Sequence, residues 1–235
     1  MNTDYMTEDM VAAEQRRFMN KVYGWMSIGL VLTGFIAHFV MSSPVLFRSI
    51  AGNPIIFFGL IIGELIIVFK LAGSIMNISA GRATALFLGY SAMNGLTLSV
   101  VFAVYTAESI AVTFFVTAGT FAVMSLYGYV TKRDLTGVGQ FMIMGLIGII
   151  IASVVNFFLK SSQLYWMITY IGILIFVGLT AYDTQKIKQM NIIGNDGTDE
   201  DRKEAVLGAL RLYLDFINLF LMLLRLFGNR RGGWR

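Results

Sequence analysis

The chain has 235 residues, of which 57% are hydrophobic and 14% charged, with a formal net charge of +4. Soluble domains carry about 25% charged residues, so the surplus of apolar side chains needs a surrounding other than water, and lipid supplies it. There is no cysteine and one histidine, His38, which excludes disulfides, thiolate nucleophiles, cysteine-held metals and histidine clusters. No resident cofactor is expected, and no nucleic-acid motif accompanies the basic residues.

Residues 1–21 are polar and of mixed charge, and are expected to be helical. Glu14, Arg16, Arg17 and Lys21 form a solvated face that leads into the first apolar run. A helix needs ~20 mostly apolar residues to cross ~30 Å of hydrocarbon. Seven runs meet this requirement: 22–41, 55–73, 83–104, 109–130, 138–159, 164–182 and 205–228. No small-residue cleavage site follows the first run, which reads as a retained helix rather than a signal peptide. His38, near its end, reads as an interfacial residue. Small residues at helix-contact spacing mark close packing: Gly145, Gly148 and Ala152 in the fifth run, Ala118, Ala122 and Ser125 in the fourth. The connections are short, which makes successive helices antiparallel neighbours. The exception is Gln185 to Glu204, which holds the turn signal Gly194-Asn195-Asp196-Gly197. There the acids Asp199, Glu200 and Asp201 read as a helix N-terminus capped by Thr198, since the spacing of an EF-hand loop is missing.

The expected fold is therefore all-α, a polytopic membrane bundle in one domain. It comprises a cytoplasmic N-terminal segment over 1–21, a transmembrane domain over 22–228 and a basic tail over 229–235. Basic residues set the orientation. With the N-terminus inside, the inner side collects Arg16, Arg17, Lys21, Lys70, Arg82, Lys132, Arg133, Lys186, Lys188, Arg202 and Lys203, against Arg48 and Lys160 outside. The basic tail disagrees: seven full spans put it outside, and a last helix that turns back puts it inside.

Several charges stand where lipid should be: Glu64 in the second run, Asp183 at the end of the sixth, and Arg211, Asp215, Asn218 and Arg225 in the seventh. An ionisable group at the centre of a membrane helix costs at least ~2.5–3.5 kcal/mol, so such groups normally face the bundle interior or water. At 100° per residue Arg211, Asp215, Asn218, Met222 and Arg225 form one stripe, expected to be shielded from lipid. Thr180 shares a face with Asp183. One reading pairs Asp215 with Arg211 and leaves Asp183 among headgroups. The other brings Asp183 and Asp215 together. Two close carboxylates do not easily both ionise, so such a pair would share a proton, sense pH and bind a hard cation when deprotonated. Glu64 is either a third member of that site or a residue packed between helices.

Over these residues the chain resembles the Bax inhibitor-1 family in its bacterial branch. The resemblance rests on GLTAYDTQKIK at 178–188, LGALRLYLDFINLFLMLLR at 207–225, MSLYGYVTKRDL at 124–135 and ASVVNF at 152–157, and it covers nearly the whole chain. It implies seven helices with the last one central, in a bacterial inner membrane. It also implies a calcium leak controlled by pH through an aspartate pair, here Asp183 and Asp215, with calcium as a transported ion. Some bacterial relatives are linked to a membrane-anchored ATP-dependent protease that they restrain. A basic latch on the second helix would fall at Lys70, or at Asn77. The function expected first is a protonation-gated cation leak, not an enzyme. A non-catalytic regulator of such a protease, touching it through the termini and the 185–204 connection, is the alternative. An intramembrane aspartyl protease built on Tyr182-Asp183 and Asp215 is a remote third reading, because Leu212-Tyr213-Leu214 lacks the glycines that precede the second aspartate in those enzymes.

Overall fold

The computed structural model describes residues 8–232; the outermost parts of both expected terminal segments lie outside them. Among the described residues there are eight α-helices: α1 (Glu8–Ser42), α2 (Pro44–Ala51), α3 (Pro54–Ser74), α4 (Ala80–Val104), α5 (Ala107–Val130), α6 (Thr136–Leu159), α7 (Ser162–Met190) and α8 (Asp199–Phe227). A short 3-10 turn, Ile75–Asn77, follows α3. All but α2 are long and apolar enough to cross a membrane. Helices are the natural choice there, because each satisfies its own backbone groups where no water can. The chain is a multi-pass membrane protein with the expected all-α fold.

Local chemistry sets the helix ends. Asn53, Ser79 and Thr106 cap α3, α4 and α5 by accepting from backbone N–H groups of the first turn. Thr198 caps α8 by accepting from Asp201 N at 3.2 Å, while the Asp201 carboxylate takes the N–H of Gly197 at 3.0 Å. Three boundaries differ from the sequence reading. α1 runs unbroken from the polar segment into the span, since no proline interrupts 8–42. The eight-residue α2 starts on Pro44, which suits a first helical turn. α7 continues past Asp183 to Met190, so the long connection shrinks to 191–198. Its two turn glycines, Gly194 at φ 92° and Gly197 at φ 83°, take backbone angles open to glycine.

The helices form two compact units. The first comprises residues up to Tyr105 together with Lys188–Tyr213, and the second Thr106–Ile187 with Leu214–Arg235. In the first, α1 buries a stripe of Glu14, Phe18, Val22, Met26, Gly29, Thr33, Ala37 and Val40 at helical spacing; Glu14, expected on the solvated face, is instead buried because it accepts from Gly194 N at 2.8 Å. α1 packs closely on α4: a Cβ on Gly29 would lie 2.7 Å from the Phe87 ring, and one on Gly95 2.8 Å from Thr33 O. In the second, Ile149, Ile168, Ile175, Phe176, Leu179, Leu219 and Leu223 form one core of α6, α7 and α8.

Burial separates inner from outer helices. In the most apolar stretch of each span, 72% of residues are buried in α8, against 6% in α3 and α6. α8 is the most buried of the spans, whereas α3 and α6 show lipid such residues as Ile55, Phe69, Phe141 and Phe157, all at least 65% exposed.

Candidate functional site

The stretch of α7 around Asp183 is held rigidly in the second unit. Gly128 of α5 lies against the carbonyl of Ala181, and Gly139 of α6 against the ring of Tyr182; a Cβ at either position would collide. Thr184 donates to Thr180 O at 2.7 Å, which uses its only proton, so Ser125 donates to Thr184 Oγ1 at 2.9 Å. Thr180, fully buried, donates to Phe176 O at 2.8 Å. These bonds back to the preceding turn let hydroxyls sit in an apolar bundle. Gln185 accepts from Leu135 N at 2.9 Å and donates to Arg133 O at 2.8 Å, which ties α7 to the turn between α5 and α6. Asp183 itself is half-buried.

Asp215 is 4% exposed. The next residue, Phe216, lies between Phe114 and Phe121 of α5, with ring centroids 5.5 and 5.6 Å away. Asn218 is half-buried and donates to Leu214 O at 2.8 Å. α7 and α8 meet where Gly172 faces Met222, whose Sδ would lie 3.1 Å from a Cβ there. α5 buries Ser109, Thr113, Thr117, Phe121 and Ser125 at intervals of four; Phe121 meets Phe216 of α8 and Ser125 bonds Thr184 of α7. The sequence reading missed Ser109, Thr113 and Thr117, although their spacing was visible.

The other polar residues fall elsewhere. Glu64 accepts from Thr97 Oγ1 at 2.9 Å and from Asn94 Nδ2 at 3.4 Å, both on α4. In the same unit Tyr213 and Thr33 hydroxyls are 2.6 Å apart. Thr33 also contacts the carbonyls of Gly29 and Ser91, which take its single proton, so Tyr213 is the donor. Arg211 is exposed and Asn218 half-buried, while Asp215 between them is buried. α8 is buried on its apolar faces, and Arg211, Leu214, Asn218, Met222 and Arg225 are its least covered stripe. Lys70, Asn77 and His38 are exposed. Gly148 faces open space, while Gly145 meets Ile175 and so packs as expected. Among the described residues no three His, Asp or Glu side chains gather as a metal-holding cluster. A hard cation at the aspartates would need further oxygens from hydroxyls, carbonyls or water.

The end of α8 settles how it runs in its unit. Asn229 N donates to Ser109 Oγ at 2.9 Å and Asn229 O accepts from Thr106 N at 3.0 Å. The part of α8 in the second unit therefore finishes at the end where α5 begins, and α8 is one continuous helix over Asp199–Phe227.

The sequence matches the family model described as "Inhibitor of apoptosis-promoting Bax1" over residues 15–232. Among similar proteins, inner membrane protein YbhL of Escherichia coli K12 is 57% identical over 215 residues, 91% of this chain and 92% of its own length. An uncharacterized protein of Borreliella burgdorferi is 48% identical over 217 residues, 92% of this chain and 94% of its own. One of Rickettsia prowazekii is 48% identical over 221 residues, 92% and 91%.

Proposed function

As the chain belongs to the Bax inhibitor-1 family, we propose that it is a non-catalytic, pH-sensitive leak for calcium or another cation, gated by Asp183 and Asp215. The observation that carries this reading is Asp215, a carboxylate 4% exposed within a membrane-spanning helix, in the same compact unit as the half-buried Asp183. Retaining such a group in a bundle is costly unless it works there. When the pair is deprotonated, its oxygens attract a hard cation or hold α7 and α8 in one arrangement. Protonation removes both effects. The buried hydroxyls of α5 and Thr180 offer oxygens along the same helices.

The membrane is a bacterial inner membrane, as the name of the Escherichia coli relative says of that protein. The N-terminus is cytoplasmic, because the basic loops lie on its side. With that orientation the end of α8 faces outward. A regulatory contact with a membrane-anchored ATP-dependent protease is compatible with the leak. Arg17 and Lys21 bond Asp196 at 2.9 and 2.6 Å, which joins the N-terminal segment and the 191–198 connection into one surface. The leak is tested by calcium entry into dye-loaded proteoliposomes over a pH series. A flux above that of empty liposomes and graded with pH is expected; a flux no greater than theirs at every pH refutes the proposal.

A further inference from the structure

At the end of the second unit where α6 stops and α7 starts, the chain turns within two residues. Lys160 N donates to Asn156 O at 2.8 Å and Ser161 N to Asn156 Oδ1 at 2.9 Å. Lys160 takes a left-handed backbone, φ 51°, a strained choice for a lysine that sets its side chain at the mouth of a cleft. The bonds of Asn229 to Thr106 and Ser109 fix the segment after α8 and so place Arg230 on the same cleft. Arg225, in the last turn of α8, has its guanidinium 5.4 Å from the centre of the Tyr165 ring.

The cleft has a volume of about 560 Å³ and is lined by Lys160, Arg225 and Arg230 together with Ser161, Tyr165 and Trp166, and by no carboxylate. That volume is in the ~300–1,000 Å³ range of small-molecule sites. Among the described residues none of the three cations is in an ion pair. Three like charges around one hollow repel each other, and an anion seated there relieves the repulsion. Its donors suit a phosphate: guanidinium forks, an ammonium and a serine hydroxyl. The surroundings name the kind of phosphate. Three membrane-spanning helices end here, and Tyr165 and Trp166 are the residue types that sit at the membrane–water boundary. Phe158, Leu159, Met167 and Phe227, each within two positions of a lining residue, are 76, 65, 56 and 58% exposed. A ligand with an anionic head in the cleft would lay its acyl chains on these side chains.

We propose that the cleft formed by Lys160, Arg225 and Arg230 at the α6–α7 turn is a binding site for the phosphate headgroup of an anionic phospholipid. The site does not depend on the cation reading, and its test measures lipid rather than flux. Full-length protein in a neutral detergent is titrated with phosphatidylglycerol, phosphatidylcholine or inorganic phosphate, and bound lipid is counted by native mass spectrometry while melting is followed in parallel. Phosphatidylglycerol should be retained and raise the melting temperature, and the other two should do neither. Each of Lys160→Gln, Arg225→Gln and Arg230→Gln should weaken retention about fivefold, the effect of one basic residue at an anionic surface. The triple variant should lose the preference. The same charge change made at Arg16, Arg48 and Lys132 should leave it intact. Should the triple variant fail to fold, the otherwise native chain with Trp25→Phe and Trp234→Phe keeps Trp166 as its only tryptophan. Brominated phosphatidylglycerol should quench it more than brominated phosphatidylcholine. Equal binding or quenching by the two lipids, or a folded triple variant that still prefers phosphatidylglycerol, overturns the site. Inorganic phosphate that reproduces the lipid's effect overturns the lipid assignment.

Discussion

Replacing Gly128 by alanine tests the helix contact that positions Asp183. The added Cβ would run into the carbonyl oxygen of Ala181 and come within 2.9 Å of its carbonyl carbon. The obstacle is backbone, so no rotamer change removes it. To restore an ordinary carbon–carbon separation of ~3.5–4.0 Å, α5 and α7 must part by roughly 1 Å. Overpacking of this kind costs ~1–3 kcal/mol. Lengthening the 2.9 Å bond between Ser125 and Thr184 adds up to ~1 kcal/mol, while alanine returns ~0.5–1 kcal/mol of helix preference. The net loss of up to ~3.5 kcal/mol converts, at ~2–4 °C per kcal/mol for a chain of this size, to a melting temperature lower by up to about 14 °C. Gly148→Ala is the matched control. No atom lies within 4 Å of its Cβ position, so it should melt at the parent temperature or slightly above. Both are read by tryptophan fluorescence during heating in one detergent. A Gly128→Ala protein that melts with the Gly148→Ala protein refutes the close α5–α7 contact.

Three further outcomes follow from the polar contacts. Lys21→Met removes the ammonium that bonds Asp201, a side chain 2% exposed, at 2.6 Å; a loss of ~1–3 kcal/mol and faster amide exchange over 191–198 are expected. The carboxyl of Asp196 is held below the usual aspartate range, first by its hydrogen bond from Lys21 and then by Arg17. Its folded value lies under the unfolded ~3.9, so its contribution is complete above that pH and lost as pH falls through the folded value. Exchange over 191–198 should therefore be unaffected by this group between pH 5 and 8 and rise only below about pH 4, which would separate this contact from any gating near neutrality. Glu64→Gln keeps an oxygen for Thr97 to bond and should alter the pH response of flux less than a change at either aspartate.

The seven spans were legible because ~20 apolar residues in a row have few alternatives to a membrane helix. α2 was not legible, since eight residues are too short to register against that length. The extension of α7 to Met190 was hidden for a related reason: hydropathy falls at Asp183, but Gln185, Lys186 and Lys188 are good helix formers, so the apolar run ends before the helix does. Counting apolar residues also passes over serine and threonine, which is why Ser109, Thr113 and Thr117 went unread and Ser125 was noticed only as a small residue. Small residues were noticed by type, yet only the structure separates Gly145, which meets Ile175, from Gly148, which meets nothing. The stripe on α8 shows the limit of angular reasoning. Of the residues on that line Arg211 is exposed while Asp215, one turn on, is 4% exposed, so a shared angle does not give a shared burial.

Calcium flux against pH in proteoliposomes carrying Asp183→Asn, Asp215→Asn or both, beside the parent protein, tests the gating claim most directly. If the two carboxylates act as one proton-sensing unit, either substitution flattens the pH dependence and the double variant adds little to the single ones. If both single variants keep the parent's pH response, the aspartates are structural and the account of gating is wrong.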